Sequence, residues 1–276
     1  MNSKRGIVYA PEHGSLQLDV HYPPAGRQAL STYLYFHSGG LTMGAHDEPA
    51  IIALAEALTA RGVVMISAGY RLYPQAVFPD YVRDAARAAA WVMANRKAYA
   101  LPGKVFLGGS SAGGYLSMML CFARQYLSEV GLSPEDFSGF LLDAGQPTKH
   151  FEVMARRGDD PRRVMVDDAA PLYYVRDAGP RRPMLLICAE RDIPGRVAQN
   201  RLLLHTLEAF GADPSQMWLL FMPGCEHVSY LNPENQLAFA AYTVVCASFL
   251  TGECEADAYE TTWDSALAPL RTTMTT

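Results

Sequence analysis

The sequence lacks several features that would assign it to other protein classes. Lys and Arg number 23 against 28 Asp and Glu, giving a net charge of -5, so it has no basic excess for binding nucleic acid. Its longest mainly apolar stretch, Leu237 to Leu250, is 14 residues, too short to span a bilayer. Residues Met1 to Ala10 lack the apolar core of a secretory signal.

Cysteine is scarce and shows no paired spacing. The five cysteines are scattered along the chain: Cys121, Cys188, Cys225, Cys246 and Cys254. Their odd number and the absence of a C-x-x-C pair argue against both a zinc site and a disulfide framework. Together with the absence of a signal, this predicts reduced thiols in a cytoplasmic protein. Half of the 276 residues are hydrophobic, which provides for the core of one large domain covering residues 1–276.

The remaining pattern is an alternation of short apolar runs with helical segments. After a starting hairpin, buried runs such as Thr32 to Phe36 and Val63 to Ser67 are each followed by a loop and a helix. This alternation predicts an α/β fold with a mostly parallel sheet and helices on both faces. In such sheets, ligand sites lie beyond the carboxyl ends of the strands.

One segment has the form of a strand, a sharp turn and a helix. Gly109, Ser111 and Gly113 fit the G-x-S-x-G pattern of a nucleophile elbow, in which small neighbours allow a tight turn that exposes the serine hydroxyl. Ser111 fits better than Ser110, because Ser111 has glycine two residues away on both sides. Alone, the pattern would also suit a glycine-rich turn that starts a helix.

Three other features follow predicted strands. Asp192 comes after the run Pro183 to Ala189, and His227 comes after Gln216 to Met222. A serine hydroxyl needs a base, which His227 can supply, and Asp192 would orient the imidazole. Glu190 and Glu226 are the rival acids. Asp192 is preferred because Glu190 lies closer to the strand and would point toward the sheet, and Glu226 is adjacent to His227 and poorly placed to face its ring.

The third feature is Gly39-Gly40, directly after the strand Thr32 to Phe36. Such a pair can turn backbone N–H groups toward a developing oxyanion. A plain glycine turn is the alternative. His37, at the strand end, is expected to make structural hydrogen bonds, and Arg71 is expected to pair with a carboxylate such as Asp84.

Two segments fall outside the alternation. Residues 146–182 are rich in charge and proline, which predicts a lid-like excursion or, equally, a solvated surface segment. The tail at 252–276 is either mobile or wrapped on the domain through Trp263 and Leu267. From their nearness in sequence, Met43, Tyr115 and Tyr230 are expected to line the site.

These motifs together resemble the α/β-hydrolase superfamily, and within it the esterase/lipase group related to hormone-sensitive lipase and to bacterial feruloyl-esterase-like enzymes. The residues that carry the resemblance lie between about Leu18 and Leu250: His37-Ser38-Gly39-Gly40, Tyr70-Arg71-Leu72 with Pro74, Gly109 to Gly114, Asp192 and His227. Ser38 stands where the family has the first glycine of H-G-G-G. Ser110 stands where the hormone-sensitive-lipase branch often has aspartate. That branch's large N-terminal cap is not expected here, because only about thirty residues of this sequence precede the first predicted central strand.

The resemblance implies an eight-stranded, mostly parallel sheet, and Ala112 as a further oxyanion donor beside Gly39 and Gly40. It also implies a serine carboxylic-ester hydrolase for small or short-chain esters, with Ser111, Asp192 and His227 as the catalytic triad. No metal or organic cofactor is expected. The alternatives are an amide hydrolase of this fold, such as an arylformamidase or a peptidase, a haloalkane- or lyase-type hydrolase, and a non-catalytic binding protein. Serine instead of aspartate at the elbow argues against a haloalkane hydrolase. The apolar strand Met217 to Phe221 suggests a homodimer by sheet-edge pairing.

Overall fold

The computed structural model describes residues 1–13, 16–177, 182–252 and 256–273. In these ranges one sheet of eight strands lies between two helical layers, as the alternation predicts. The strands are β1 Asn2–Ala10, β2 Leu16–Tyr22, β3 Ser31–Phe36, β4 Val63–Ala68, β5 Val105–Ser110, β6 Gly139–Asp143, β7 Met184–Arg191 and β8 Met217–Glu226. The helices are α1 Pro49–Thr59, α2 Asp80–Asn95, α3 Ala112–Phe122, α4 Gln125–Ser128, α5 Phe151–Arg157, α6 Arg196–Ala209, α7 Gln236–Thr251 and α8 Ala256–Thr273.

The sheet order places the later strands side by side at one edge. The strands run β1-β2-β4-β3-β5-β6-β7-β8; the β1–β2 and β2–β4 pairs are antiparallel, and the remaining pairs are parallel. The carboxyl ends of β3, β5, β7 and β8 therefore meet at the same edge. The loops after these strands carry the four features singled out from the sequence.

The central strands are buried because both sheet faces are covered. Every residue of β3, β4, β5 and β6 is buried, which explains why these runs are apolar without alternation. One core cluster includes α2 and α3, and the other includes α1, α7 and α8. This two-sided packing fixes the central strands as the scaffold of the site.

Strand β8 runs further than the sequence suggests. The apolar pattern ends at Met222, but pairing with β7 continues to Glu226, which lies opposite Arg191. Over this extension β8 advances four residues while β7 advances two, from Ala189 to Arg191, and the amide of Gly224 donates to the Glu190 carboxylate at 2.8 Å. The strand thus ends one residue before His227.

The segment predicted as a lid-like excursion begins inside the protein. Lys149 is 2% exposed, and its ammonium group lies 2.5 Å from Asp159 and 3.0 Å from Asp167. These two ion pairs join the start of the segment to the exposed turn that follows α5. Residues 178–181 of this segment lie outside the described residues.

In the tail, the described residues form helix α8. Trp263 and Leu267 are 3% and 1% exposed, and the indole N–H of Trp263 donates to Ser248 Oγ at 2.8 Å. This part of the tail packs on α7 and β8, the second of the two arrangements considered from the sequence. Residues 253–255 and 274–276 lie outside the described residues.

Four cysteines, at 121, 188, 225 and 246, are buried and free, and Cys254 lies outside the described residues. In the described part of the chain, no helix is both long and apolar enough to cross a membrane.

Candidate active site

Ser111 occupies the sharp turn between β5 and α3. Its backbone has φ 54° and ψ -110°, a conformation that non-glycine residues rarely adopt. Its amide donates to the carbonyl oxygen of Asp143, at the end of β6, over 2.8 Å. Such strain persists only where the surrounding structure holds it, and here the turn is fixed between two buried strands and a helix.

The glycines on either side of Ser111 are required by close backbone packing. A Cβ atom at Gly109 would lie 2.4 Å from the Phe36 carbonyl oxygen, and one at Gly113 would lie 1.9 Å from it. A Cβ atom at Gly114 would lie 2.4 Å from the Asp143 carbonyl oxygen. The G-x-S-x-G pattern therefore marks the point where α3 crosses the ends of β3 and β5.

The structure brings Ser111, His227 and Asp192 into one hydrogen-bonded row. Ser111 Oγ lies 2.8 Å from His227 Nε2, and His227 Nδ1 lies 2.6 Å from Asp192 Oδ1. Donation from Nδ1–H to the carboxylate leaves Nε2 as the acceptor for the serine proton. The three side chains come from three separate loops at the carboxyl edge of the sheet.

Asp192 is held as a carboxylate by its hydrogen bonds. Burial acts to raise its pKa, but the His227 ring and the amides of Ile193 and Ala189 outweigh burial, so the pKa lies below its ordinary value. The two amides donate over 2.8 Å and 3.1 Å. The side chain is shielded from solvent, whereas the His227 side chain is 21% exposed.

Of the two rival acids, Glu190 is engaged elsewhere and Glu226 is exposed. Glu190 accepts the amide hydrogen of Gly224, and Glu226 is exposed, with its own amide donating to Ser229 Oγ at 3.1 Å. Of the three candidates, Asp192 is the carboxylate that the structure places on the imidazole.

The glycine pair forms a turn whose shape only glycine allows. Gly39 and Gly40 have φ angles of 120° and 62°, and a Cβ atom at Gly39 would lie 1.9 Å from the Met43 carbonyl oxygen. Within the described residues, neither glycine amide donates to a backbone carbonyl. Ala112 is the first residue of α3, so its amide has no acceptor within the helix. These amides are candidate donors to a bound oxyanion.

His37 has the structural role expected of it. Its Nδ1 donates to the Ser38 carbonyl at 2.6 Å, and its ring stacks on Tyr70 with centroids 4.3 Å apart. Burial lowers its pKa to about 4, which keeps the ring neutral. Arg71 pairs with Asp84 through two bonds of 2.7 Å and 2.8 Å, as predicted.

The expected lining residues are placed differently from the sequence-based expectation. Tyr115 and Tyr230 are 0% exposed and cannot line an open site, because both rings pack inside the core. Tyr115 donates to the Ala169 carbonyl at 2.8 Å, while Met43 is 66% exposed. Phe151, at the start of α5, lies beside the glycine pair: its ring would be 3.2 Å from a Cβ atom at Gly40.

A cavity of about 240 Å³ lies under α5, between that helix and the loop that precedes α2. Its walls include Tyr73, Phe78 and Tyr81 on one side and Glu152 and Val153 on the other.

In the part of the chain that the structure describes, no three His, Cys, Asp or Glu side chains come together as a set that could hold a metal ion.

Asp143 was missed by the sequence reasoning. It ends β6 and is completely buried, and its carboxylate accepts hydrogen bonds from Ser110, Tyr230 and Tyr242. Burial is the main cause that raises its pKa to about 6, although the three hydroxyl donors act in the opposite direction. The available signal was a lone carboxylate at the end of the apolar run Phe140 to Leu142.

Comparisons with known proteins agree with this architecture. A family model described as alpha/beta hydrolase fold matches residues 33–142, which include the glycine pair and Ser111. A thermophilic esterase from Thermogutta terrifontis, solved with butyrate bound, superposes with a TM-score of 0.72 at 20% identity, over 91% of this chain and 93% of that one. Brefeldin A esterase, a bacterial homologue of human hormone-sensitive lipase, also gives a TM-score of 0.72, at 18% identity over 91% of this chain and 76% of its own.

Relatives found by sequence match this chain over shorter regions. Carboxylic ester hydrolase LipN of Mycobacterium tuberculosis is 37% identical over 106 residues, which are 37% of this chain and 27% of LipN. Esterase LipC of the same organism is 28% identical over 81% of this chain and 59% of its own. This chain thus spans less than two thirds of the length of either relative. With its eight-stranded sheet, its serine turn and these matches, the chain has the alpha/beta hydrolase fold.

Proposed function

We propose that this protein is a serine carboxylic-ester hydrolase that acts through an acyl-enzyme intermediate. The observation that carries the proposal is the row in which Ser111 Oγ lies 2.8 Å from His227 Nε2 and His227 Nδ1 lies 2.6 Å from Asp192. A base within hydrogen-bond reach of a hydroxyl, itself oriented by a carboxylate, is the arrangement that activates a serine. The esterase names of the matched relatives support the same reaction class.

In the proposed first step, Ser111 Oγ attacks the ester carbonyl carbon while His227 Nε2 takes the hydroxyl proton. The carbonyl oxygen becomes an oxyanion, which the amides of Gly39, Gly40 and Ala112 would bind. His227 then gives its proton to the alcohol oxygen, the C–O bond breaks, and the acyl group stays on Ser111. Each oxyanion donor of this kind contributes about 3 kcal/mol in the transition state.

In the second step, water replaces the alcohol. His227 takes a proton from water, the resulting hydroxide attacks the acyl carbon, and the proton returns to Ser111 Oγ as the carboxylic acid leaves. Asp192 stays ionised throughout and stabilises the imidazolium, consistent with its lowered pKa. Apart from water and the substrate, the groups that this proposed chemistry uses are side chains and amides of this chain.

We propose small or short-chain esters as substrates. Phe151 lies against Gly40 and restricts the space beside the proposed oxyanion donors. The butyrate bound to the Thermogutta terrifontis esterase supports an acyl group of similar size here. A homodimer through the outermost strand, β8, stays a prediction, which the mass of the protein in solution tests directly.

The test is turnover of p-nitrophenyl acetate, butyrate, octanoate and laurate by the wild type, Ser111→Ala and the control Ser128→Ala, an exposed serine on α4. We expect turnover to be highest for acetate or butyrate, and Ser111→Ala to lower kcat by about 10⁴-fold or more. Ser128→Ala should match the wild type. Turnover by Ser111→Ala close to that of the wild type would refute the assignment of Ser111 as the nucleophile.

The same panel distinguishes the other functions considered. A matched p-nitroanilide and an aryl formamide are assayed beside the esters. Faster hydrolysis of either amide than of its ester would replace the proposal with an amide hydrolase. Absence of turnover for every substrate, combined with binding of an ester analogue, would favour a non-catalytic binding protein.

A further inference from the structure

The Asp143 side chain forms a second buried polar cluster behind the serine turn. Its carboxylate accepts hydrogen bonds from Ser110 Oγ at 2.5 Å, from the Tyr230 hydroxyl at 2.5 Å and from the Tyr242 hydroxyl at 3.1 Å. All four residues are at most 1% exposed. A buried carboxylate is costly unless it is hydrogen-bonded, so these three donors define where the Asp143 side chain can lie.

The three donors come from different parts of the fold. Ser110 is the last residue of β5, Tyr230 lies in the turn after β8, and Tyr242 lies on α7. Asp143 also accepts the amide hydrogen of Ser111 through its backbone carbonyl, at 2.8 Å. One residue is therefore bonded both to the serine turn and, through Tyr230, to the loop that carries His227.

Backbone strain is concentrated around this cluster. Ser111, Ala144 and Val228 have φ angles of 54°, 48° and 50°. The value at Val228 is the least favourable, because a β-branched side chain seldom tolerates positive φ. Val228 directly follows His227, so the loop that carries His227 would adopt a less strained backbone conformation if nothing held it. Strained residues persist only where their surroundings hold them in place, and each of the three lies within two residues of a member of the Asp143 cluster.

We propose that Asp143 is a positioning residue whose carboxylate, through Tyr230, holds the His227 loop at hydrogen-bond distance from Ser111. The inference rests on the proposed function, since the Ser111–His227 distance matters for turnover only if the two side chains react. The Asp143 carboxylate is hydrogen-bonded to Ser110, Tyr230 and Tyr242 and not to the His227 ring, whose Nδ1 is bonded to Asp192. Tyr242 binds the same carboxylate from α7, a helix that carries none of Ser111, His227 and Asp192. Its hydrogen bond therefore anchors the carboxylate without aligning the histidine.

This difference gives a matched pair of variants, Tyr230→Phe and Tyr242→Phe. Both keep a buried ring and both remove one hydroxyl bond to Asp143, but only Tyr230 lies on the histidine loop. We expect Tyr230→Phe to lower kcat for p-nitrophenyl butyrate about 10- to 100-fold, because small misplacements of catalytic groups have effects of that size. KM should stay within about twofold, and Tyr242→Phe should stay within about threefold of the wild type in both constants.

A second measurement does not depend on turnover. The proton that His227 Nδ1 donates to Asp192 gives a downfield ¹H NMR signal, identified by its absence in His227→Gln. We expect this signal to persist in Tyr242→Phe and to shift or broaden in Tyr230→Phe. A purely structural role would lower the thermal midpoint of both variants alike and would leave the signal and kcat unchanged.

The proposal is overturned if Tyr230→Phe keeps kcat and the downfield signal of the wild type, or if both variants lose kcat equally. Should Tyr230→Phe fail to fold, Asp143→Asn carries the same two readouts and the same expected losses. Failure of the proposed function is a separate result: a wild type without ester turnover would remove that function, while the NMR arm would still decide whether Tyr230 positions His227.

Discussion

Replacing Gly113 by alanine tests the packing argument that underlies the serine turn. Gly113 lies in α3, where alanine is normally favoured over glycine by about 1 kcal/mol. The added Cβ, however, would lie 1.9 Å from the Phe36 carbonyl oxygen, 2.5 Å from its carbon and 2.8 Å from the His37 oxygen. All three are backbone atoms, so no side chain can rotate to make room.

The size of the effect follows from these distances. Cβ atoms essentially never approach closer than 3.0 Å, so α3 and the end of β3 must separate by about 1.1 Å. Overpacking of a rigid core costs about 1–3 kcal/mol, which outweighs the gain in helix propensity. Because β3 leads directly into Gly39 and Gly40, a shift of that size would also displace the proposed oxyanion donors and lower kcat about 100-fold.

The assay compares urea unfolding and p-nitrophenyl butyrate turnover for Gly113→Ala and Gly103→Ala. Gly103 is a matched control, because an added Cβ there has nothing within 4 Å. We expect the control to change stability by less than about 0.5 kcal/mol and to keep full activity. The reasoning is refuted if Gly113→Ala is as stable and as active as the wild type, or more so.

Three further outcomes are expected. Asp192→Asn should keep the fold but lower kcat about 10⁴-fold, since an amide no longer selects the His227 tautomer; a loss below tenfold would contradict the role of Asp192. Burial raises the pKa of Asp143 to about 6 from 3.8, so the folded state binds more protons than the unfolded state between these values, and stability falls as pH rises. Urea unfolding at pH 4 and pH 7 should show the stability of the wild type relative to Asp143→Asn falling by about 2 kcal/mol; no change would contradict the raised pKa of Asp143. Arg71→Met should destabilise the fold by about 3 kcal/mol in urea unfolding, because it leaves the buried Asp84 carboxylate with fewer partners; a cost below 1 kcal/mol would show that the pair contributes little.

The parts of the fold that sequence reasoning could predict are those encoded locally. Short apolar runs predict the buried strands, and glycines at fixed spacing around Ser111 predict the serine turn. The strand alternation also predicts that Ser111, Asp192 and His227 lie at the same edge of the sheet, because parallel strands bring their carboxyl ends to one edge. Each of these inferences needs only a few neighbouring residues.

The missed features depend on contacts between distant segments. Asp143 gains its environment from Ser110, Tyr230 and Tyr242, which are 33, 87 and 99 residues away in the chain. Tyr230 was expected in the site because it is near His227 in sequence, but its hydroxyl points to the carboxylate behind the serine turn. No local pattern distinguishes a tyrosine that lines a pocket from one that donates into the core.

The tail and the end of β8 show the same limit. Residues 256–273 are acidic and rich in threonine, which gave no clear periodicity, yet Trp263 and Leu267 are buried against α7 and β8. Strand β8 continues through Pro223 and Gly224 because β7 offers a paired partner beyond Met222. In both cases a neighbouring element determines the local structure.

The most direct test of the central claim is covalent labelling of the serine. Diethyl p-nitrophenyl phosphate is added to the protein, and the labelled residue is located by peptide mass spectrometry. We expect nitrophenolate release with one diethylphosphoryl group on Ser111 Oγ, and labelling slowed by orders of magnitude in His227→Ala. A label on another residue, or equal labelling of Ser111 in the absence of the His227 imidazole, would contradict activation of this serine by this histidine.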